Sequence, residues 1–167
     1  MKVWMTNKEI NKIKSYLKPN HIMLEWGCGG STLEFSKLVK MYYSIEHEPA
    51  WFRQIRNKIR LKKLSNISLS LVKPNCTSYV VGRMRKEDFE DYVEYIHKLD
   101  VDRFDVVLID GRARPHCAVE CLKYIDKDSI VFIHDYYKRP AYHWIEKYYD
   151  VIDSVKDGKT LVVLKKK

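Results

Sequence analysis

His21-Ile22-Met23-Leu24-Glu25-Trp26, followed at once by Gly27-Cys28-Gly29-Gly30-Ser31-Thr32, is the stretch from which the fold is read. The first six residues form a short apolar run of strand length, and the glycines break it. Ser31 or Thr32 then caps a helix carrying Leu33, Phe35, Leu38 and Val39. A strand that turns through glycine directly into a helix opens an alternating α/β layered structure.

Both flanks continue the pattern. Upstream, Thr6-Asn7-Lys8-Glu9 is a capping box before Ile10, Ile13 and Leu17 at helical spacing, and Pro19-Asn20 ends that helix. Downstream, Met41 to Glu46 reads as a second strand, and a basic helix from about Pro49 to Leu64 carries Phe52, Ile55 and Ile59 inward. Asn66 to Val72 alternates like a strand, and Lys86 to Leu99 predicts one amphipathic helix through Phe89, Tyr92, Val93 and Ile96. Phe104 to Asp110 and Ser129 to Ile133 are continuous apolar runs of the kind buried on both faces of a parallel sheet. Helices are expected around Ala118 to Tyr124 and from about Pro140 to Tyr149. Val151 to Val155 and Thr160 to Leu164 close the chain as a hairpin turning at Asp157-Gly158.

The 167 residues suit one domain, and 46% hydrophobic with 13% aromatic content exceeds what disordered chains carry. Lys and Arg number 31 against 22 Asp and Glu, so the net charge is 31 − 22 = +9. That excess can attract phosphate, carboxylate or nucleic acid through its long-range field, but with no nucleic-acid motif beside it a solvated, lysine-rich surface is the favoured reading. No apolar run reaches the roughly 18 residues of a membrane span, and no signal-peptide pattern opens the sequence. Cys28, Cys76, Cys117 and Cys121 make no paired CxxC framework, so reduced thiols and a cytoplasmic location are expected.

In a parallel sheet ligands bind beyond the carboxyl ends of the strands. The glycine turn lets backbone N–H groups approach a ligand, with Ser31 and Thr32 at a helix N-terminus suited to an anion. The second strand ends in Glu46, and 46 − 27 = 19 is close to the spacing at which an acid accepts from ribose hydroxyls. The turn has neither GxGxxG nor GxxxxGK[ST] spacing. Glu25 just before it would repel a pyrophosphate and attract a cationic ligand end, which fits an adenosine-type zwitterion better than a dinucleotide.

These residues resemble the class I S-adenosylmethionine-dependent methyltransferases. Leu24 to Thr32 is similar to their first motif, Tyr43-Ser44-Ile45-Glu46 to their second, and Phe104 to Gly111 to their fourth-strand motif. The resemblance covers nearly the whole chain from Thr6 onward. It implies a single Rossmann-like α/β domain over residues 1–167, with a mostly parallel seven-stranded sheet, a C-terminal antiparallel hairpin and helices on both faces. Residues 1–20 would form an N-terminal helix packing on the cofactor side. S-adenosylmethionine would be held by Glu25, Gly27, Gly29, Asp110 and Gly111, with Ser31 and Thr32 near its carboxylate. Glu46 would hold the ribose, and Asn75 would lie near the adenine, although Lys73-Pro74-Asn75-Cys76 lacks the acidic residue usual there.

Two further strand ends carry candidate chemistry: Asp110-Gly111-Arg112-Ala113-Arg114 and His134-Asp135-Tyr136-Tyr137-Lys138-Arg139. A hydroxyl acceptor needs a general base, a metal or both. His134 is the natural base, with Asp110 and Asp135 orienting it or acting directly. The same three residues form a candidate site for a divalent cation such as Mg²⁺. Arg112, Arg114 and Arg139 suggest an anionic acceptor part, and Tyr136 a stacking face. The leading expectation is O-methylation of a sugar, glycan, nucleotide sugar or other small hydroxylated molecule. A nucleic-acid methyltransferase using the basic surface, or a non-catalytic cofactor-binding protein, are the alternatives; no Asn/Asp-Pro-Pro-aromatic segment supports the former.

Overall fold

The computed structural model describes residues 1–76, 86–156 and 160–167. Asp157-Gly158, the expected hairpin turn, lies outside the described residues. Chain order is α1 (Asn7–Lys14), β1 (Ile22–Trp26), α2 (Gly30–Phe35), β2 (Met41–Glu46), α3 (Pro49–Leu61) and β3 (Ile67–Leu71), then α4 (Glu90–Glu94), β4 (Val106–Ile109), α5 (Arg114–Glu120), β5 (Ile130–His134), β6 (Tyr149–Val155) and β7 (Leu161–Lys166). The strands form a single seven-stranded sheet in the order β3-β2-β1-β4-β5-β7-β6. β1 to β5 are parallel, while β7 runs antiparallel between β5 and β6.

Alternation along the central strands divides the core in two. Leu24, Trp26, Val107, Ile109, Val131 and Ile133 join α4 and α5 on one face. Met23, Val106, Leu108 and Phe132 join Ile13 of α1 and Phe35 of α2 on the other. Cys28, Leu33 and Ile55 make a smaller cluster between α2 and α3. The strand order reverses direction between β1 and β4, so the carboxyl ends of β1, β2 and β4 converge on the switch point.

Several elements depart from the periodicity reading. The single helix expected over Lys86 to Leu99 is three short turns: 3₁₀ at Lys86–Phe89, α4, and 3₁₀ at Tyr95–Lys98. The indole N–H of Trp26 donates to the Tyr92 carbonyl (3.1 Å), the group that the Ile96 N–H would claim in a continued α-helix. α5 starts at Arg114 rather than near Ala118, launched by Ala113 in the left-handed region (φ 47°) with Pro115 in its first turn. Pro140–Lys147 is 3₁₀, and Tyr149 already belongs to β6. The Tyr149 hydroxyl donates to the Ala118 carbonyl at 2.5 Å, fixing that strand against α5.

Candidate active site

The glycine turn after β1 packs main chain against main chain. Gly27 has φ 96°, and a Cβ there would lie 2.7 Å from Gly111 Cα, on the turn after β4. Gly111 has equally little room, since its Cβ would meet the Tyr92 hydroxyl at 2.0 Å. The Gly27 N–H donates to the Ile45 carbonyl (2.8 Å), joining the turn to β2. Above these glycines opens a cleft of about 310 Å³, lined by Gly27 to Ser31, Glu46 to Glu48, Trp51, Asp110 to Arg112 and Lys2 to Trp4. That volume is of the size that binds small ligands.

Glu46 forms one wall. Its Oε2 accepts from the Cys28 N–H (2.8 Å), and its Oε1 accepts from the N–H groups of His47 (2.8 Å) and Glu48 (2.7 Å). The His47 ring nitrogen Nδ1 stands 2.9 Å from Oε1. Burial pushes the Glu46 carboxyl up, but these donors and the imidazole outweigh it and hold it below the usual range. An ionised carboxylate with a remaining lone pair on Oε2 can accept a ligand hydroxyl.

Glu25 stands differently from its sequence reading. It is fully buried behind the turn and accepts from the hydroxyls of Ser31, Thr32 (2.5 Å) and Ser44 (2.9 Å). Thr32 is equally buried, and its hydroxyl also accepts from the Gly29 N–H (2.9 Å). Both shape the turn from below, whereas Gly27, Gly29, Ser31 and Glu46 face the cleft. Asn75 is elsewhere: its amide donates to the Asp91 carboxylate and its carbonyl accepts from the Asp91 N–H, both at 3.0 Å.

The β4 and β5 ends meet through Arg114. Asp110 and Gly111 line the cleft, and Arg112 reaches its rim. Arg114, expected to contact substrate, is instead 5% exposed and bridges the two strand ends. Its Nε donates to the Gly111 carbonyl (3.1 Å), Nη2 to the Asp110 carbonyl (3.1 Å), and Nη1 to the His134 carbonyl and Asp135 Oδ2 (3.3 Å). Nη2 also lies 3.3 Å from Asp110 Oδ1.

His134 is 2% exposed, with Nδ1 2.9 Å from Asp110 Oδ1 and Nε2 3.4 Å from Glu9 Oε1 of α1. Burial lowers the imidazole's pKa, but the Asp110 hydrogen bond and the charges of Asp110, Asp135 and Glu9 bring it above its ordinary value. A ring held between two carboxylates supports Asp110 from behind; the expected free base at the cleft surface is not what its geometry provides. Tyr136, expected as a stacking face, is fully buried, and its hydroxyl donates to Glu146 (2.9 Å). Arg139 is half-exposed, with its guanidinium 5.6 Å from the Tyr142 ring centre.

Asp110, His134 and Asp135 offer ligand atoms within 4.8 Å of one another. A divalent cation does not fit among them as they stand, because the Arg114 guanidinium already pairs with both carboxylates and Asp110 with the imidazole.

Sequence reasoning missed the residues that roof the cleft. Lys2, Val3 and Trp4 cross above Gly30, whose Cβ would meet the Lys2 carbonyl at 2.5 Å, and the Trp4 ring lies 5.5 Å from that of Trp51. The Trp51 indole N–H donates to the Cys28 carbonyl. The available signal was two tryptophans at positions the helical patterns did not require. α1 itself packs Ile13 into the core and ties Lys12 to Asp153 of β6 (2.6 Å), so the segment before the helix is what lies on the cleft.

No protein-family model matches this sequence, and no curated protein matches it. Solved structures do. A methyltransferase-like protein from Silicibacter pomeroyi superposes with a TM-score of 0.77 at 22% identity, covering 99% of this chain and 88% of that one. The Streptococcus mutans protein SMU.1697c, solved in complex with S-adenosylhomocysteine, gives 0.67 at 14% identity, covering 99% and 100%. An rRNA methylase from Streptococcus thermophilus gives 0.66 at 12% identity, covering 99% of each. The chain has the α/β fold shared by these class I methyltransferase structures. Among the described residues no helix is long and apolar enough to cross a membrane.

Proposed function

We propose that this protein is an S-adenosylmethionine-dependent methyltransferase acting on a hydroxyl of a sugar, glycan or other small molecule. One observation carries the cofactor: the glycine turn after β1 and the Glu46 carboxylate at the end of β2 face one cleft of about 310 Å³. A similar fold has been solved with S-adenosylhomocysteine bound, and that likeness supports the reading. When bound, S-adenosylmethionine supplies an electrophilic methyl group.

The chain's own residues then have distinct tasks. Gly27, Gly29 and Gly111 line the cleft and would let the cofactor approach the main chain, and Ser31 would help hold its carboxylate. Glu46 would accept from the ribose hydroxyls. Glu25 and Thr32 keep the turn in shape from beneath. Methyl transfer is an in-line displacement, so the acceptor oxygen must be aligned and relieved of its proton. Asp110 is the group at the cleft able to take that proton, with His134 and Arg114 fixing its carboxylate. Arg112 at the rim offers a cation to an anionic acceptor. Arg139, Tyr142 and Trp144 line a neighbouring cavity of about 320 Å³ that suits a sugar face.

Calorimetric titration with S-adenosylhomocysteine tests the cofactor. Micromolar binding is expected, weakened at least tenfold, about 1.4 kcal/mol, in Glu46→Ala. A folded wild type that fails to bind would sink the proposal. Asp110→Asn is expected to lower kcat by roughly 10²-fold or more; unchanged turnover would remove Asp110 from the chemistry.

A second reading, nucleic-acid methylation, is favoured by the +9 charge and by the fold likeness to an rRNA methylase. It requires RNA binding whose log affinity falls linearly with log salt. A small acceptor, even one with an anionic group at Arg112, engages few charges and so carries a much shallower slope; one salt series separates the two.

A further inference from the structure

We infer that Arg114 occupies the position a divalent cation would take between the β4 and β5 ends, so that the site at Asp110, His134 and Asp135 works without a bound metal. The three residues have the types and the proximity that suit an ion. Divalent ions need carboxylate oxygens at roughly 2.0–2.6 Å and tolerate no competing cation between them. Here the guanidinium fills that space. It donates to the carbonyls of Asp110, Gly111 and His134 and to the Asp135 carboxylate (3.3 Å), and it lies 3.3 Å from the Asp110 carboxylate.

Burial makes the substitution durable. The side chain is almost fully enclosed, it cannot lose its proton, and its carbonyl partners hold it at both strand ends. Swinging it out would strand those acceptors, so an incoming ion would have to displace a network rather than a loose side chain. The same guanidinium does the orienting that a bound cation would do, holding the Asp110 carboxylate at the cleft while His134 approaches from behind. Arg114 is thus a positioning residue rather than a substrate contact. This inference concerns the ion alone and does not depend on the acceptor's identity.

Electron paramagnetic resonance titration with Mn²⁺ tests it. The wild-type protein is expected to show no saturable binding up to millimolar Mn²⁺, and Arg114→Lys, which keeps the charge, the same. Arg114→Ala is expected to gain a saturable site that raises its Tm in Mn²⁺, and Asp135→Asn added to it should remove that site. Saturable Mn²⁺ binding by the wild type that Asp135→Asn abolishes would overturn the inference. So would a folded Arg114→Ala protein that gains no site. If Arg114→Ala does not fold, the wild type beside Asp135→Asn decides alone. Titration with S-adenosylhomocysteine on the same samples reports on the proposed methyltransferase separately.

Discussion

Two carboxylates at neighbouring strand ends are held in opposite ways. Burial pushes Glu25 up to about 7, against the pull of its three hydroxyl donors, whereas Glu46 is drawn below its usual range. A carboxyl raised on folding binds more protons in the native state, so the stability it contributes is full below about pH 4.5 and is lost as pH rises through about 7. His134, also raised, contributes stability that is full below about 6.5 and is lost as pH rises through its folded pKa. The wild-type Tm is therefore expected to fall between pH 5 and 8, and Glu25→Gln to flatten the lower part of that slope. Thermal melts across that range check it; parallel curves for the two proteins would contradict the account. That Glu25, Glu46 and Asp110 belong to one locality was legible from their places at strand ends. Which of them faces the ligand was not, because sequence shows a side chain's chemistry but not the three hydroxyls that enclose it. Arg114 makes the same point: an arginine in a loop reads as solvent-facing until its partners at the two strand ends are brought together.

At the level of elements, the turns after β1 and β4 depend on having no side chain between them. Gly27→Ala forces both a left-handed backbone and a contact at 2.7 Å with Gly111, and is expected to cost at least about 2–3 kcal/mol. Denaturant unfolding measures this, and a loss below 1 kcal/mol would mean that the turns separate easily. Gly30→Ala is a milder case, since the 2.5 Å contact is with the Lys2 carbonyl of a terminal segment rather than with the sheet. It is expected to displace residues 2–4 and weaken S-adenosylhomocysteine binding while leaving Tm within a few degrees. A large Tm loss would show that Val3, buried with Met5 and Ile13, cannot shift with the segment without breaking the core. The strands were legible because their apolar runs are buried on both faces. α4 and the 3₁₀ segments were not, because a carbonyl taken by Trp26 and a start set by a left-handed Ala113 are tertiary events with no periodic trace.

Across the whole molecule the excess of nine positive charges repels itself. Ion pairs such as Lys12–Asp153 and Lys14–Glu34 are about a third exposed and contribute little. Screening should therefore help more than it harms, and Tm is expected to be higher at 0.2 M than at about 0.01 M salt, where the screening length shrinks from roughly 30 Å to under 10 Å. A Tm that falls with added salt would show that attractive pairs dominate. The sheet order and its closing hairpin could be anticipated because alternation and connection rules leave few topologies. The cleft's roof could not, since it rests on residues 2–4 folding back over Gly30 and Trp51, 30 − 2 = 28 and 51 − 4 = 47 positions away. That roof has an optical consequence. Trp4 and Trp51, two of the four tryptophans, sit with ring centres 5.5 Å apart and 49° between their planes. Indoles so placed couple as excitons, so filling or emptying the cleft should write itself into the near-ultraviolet dichroism of the unlabelled protein.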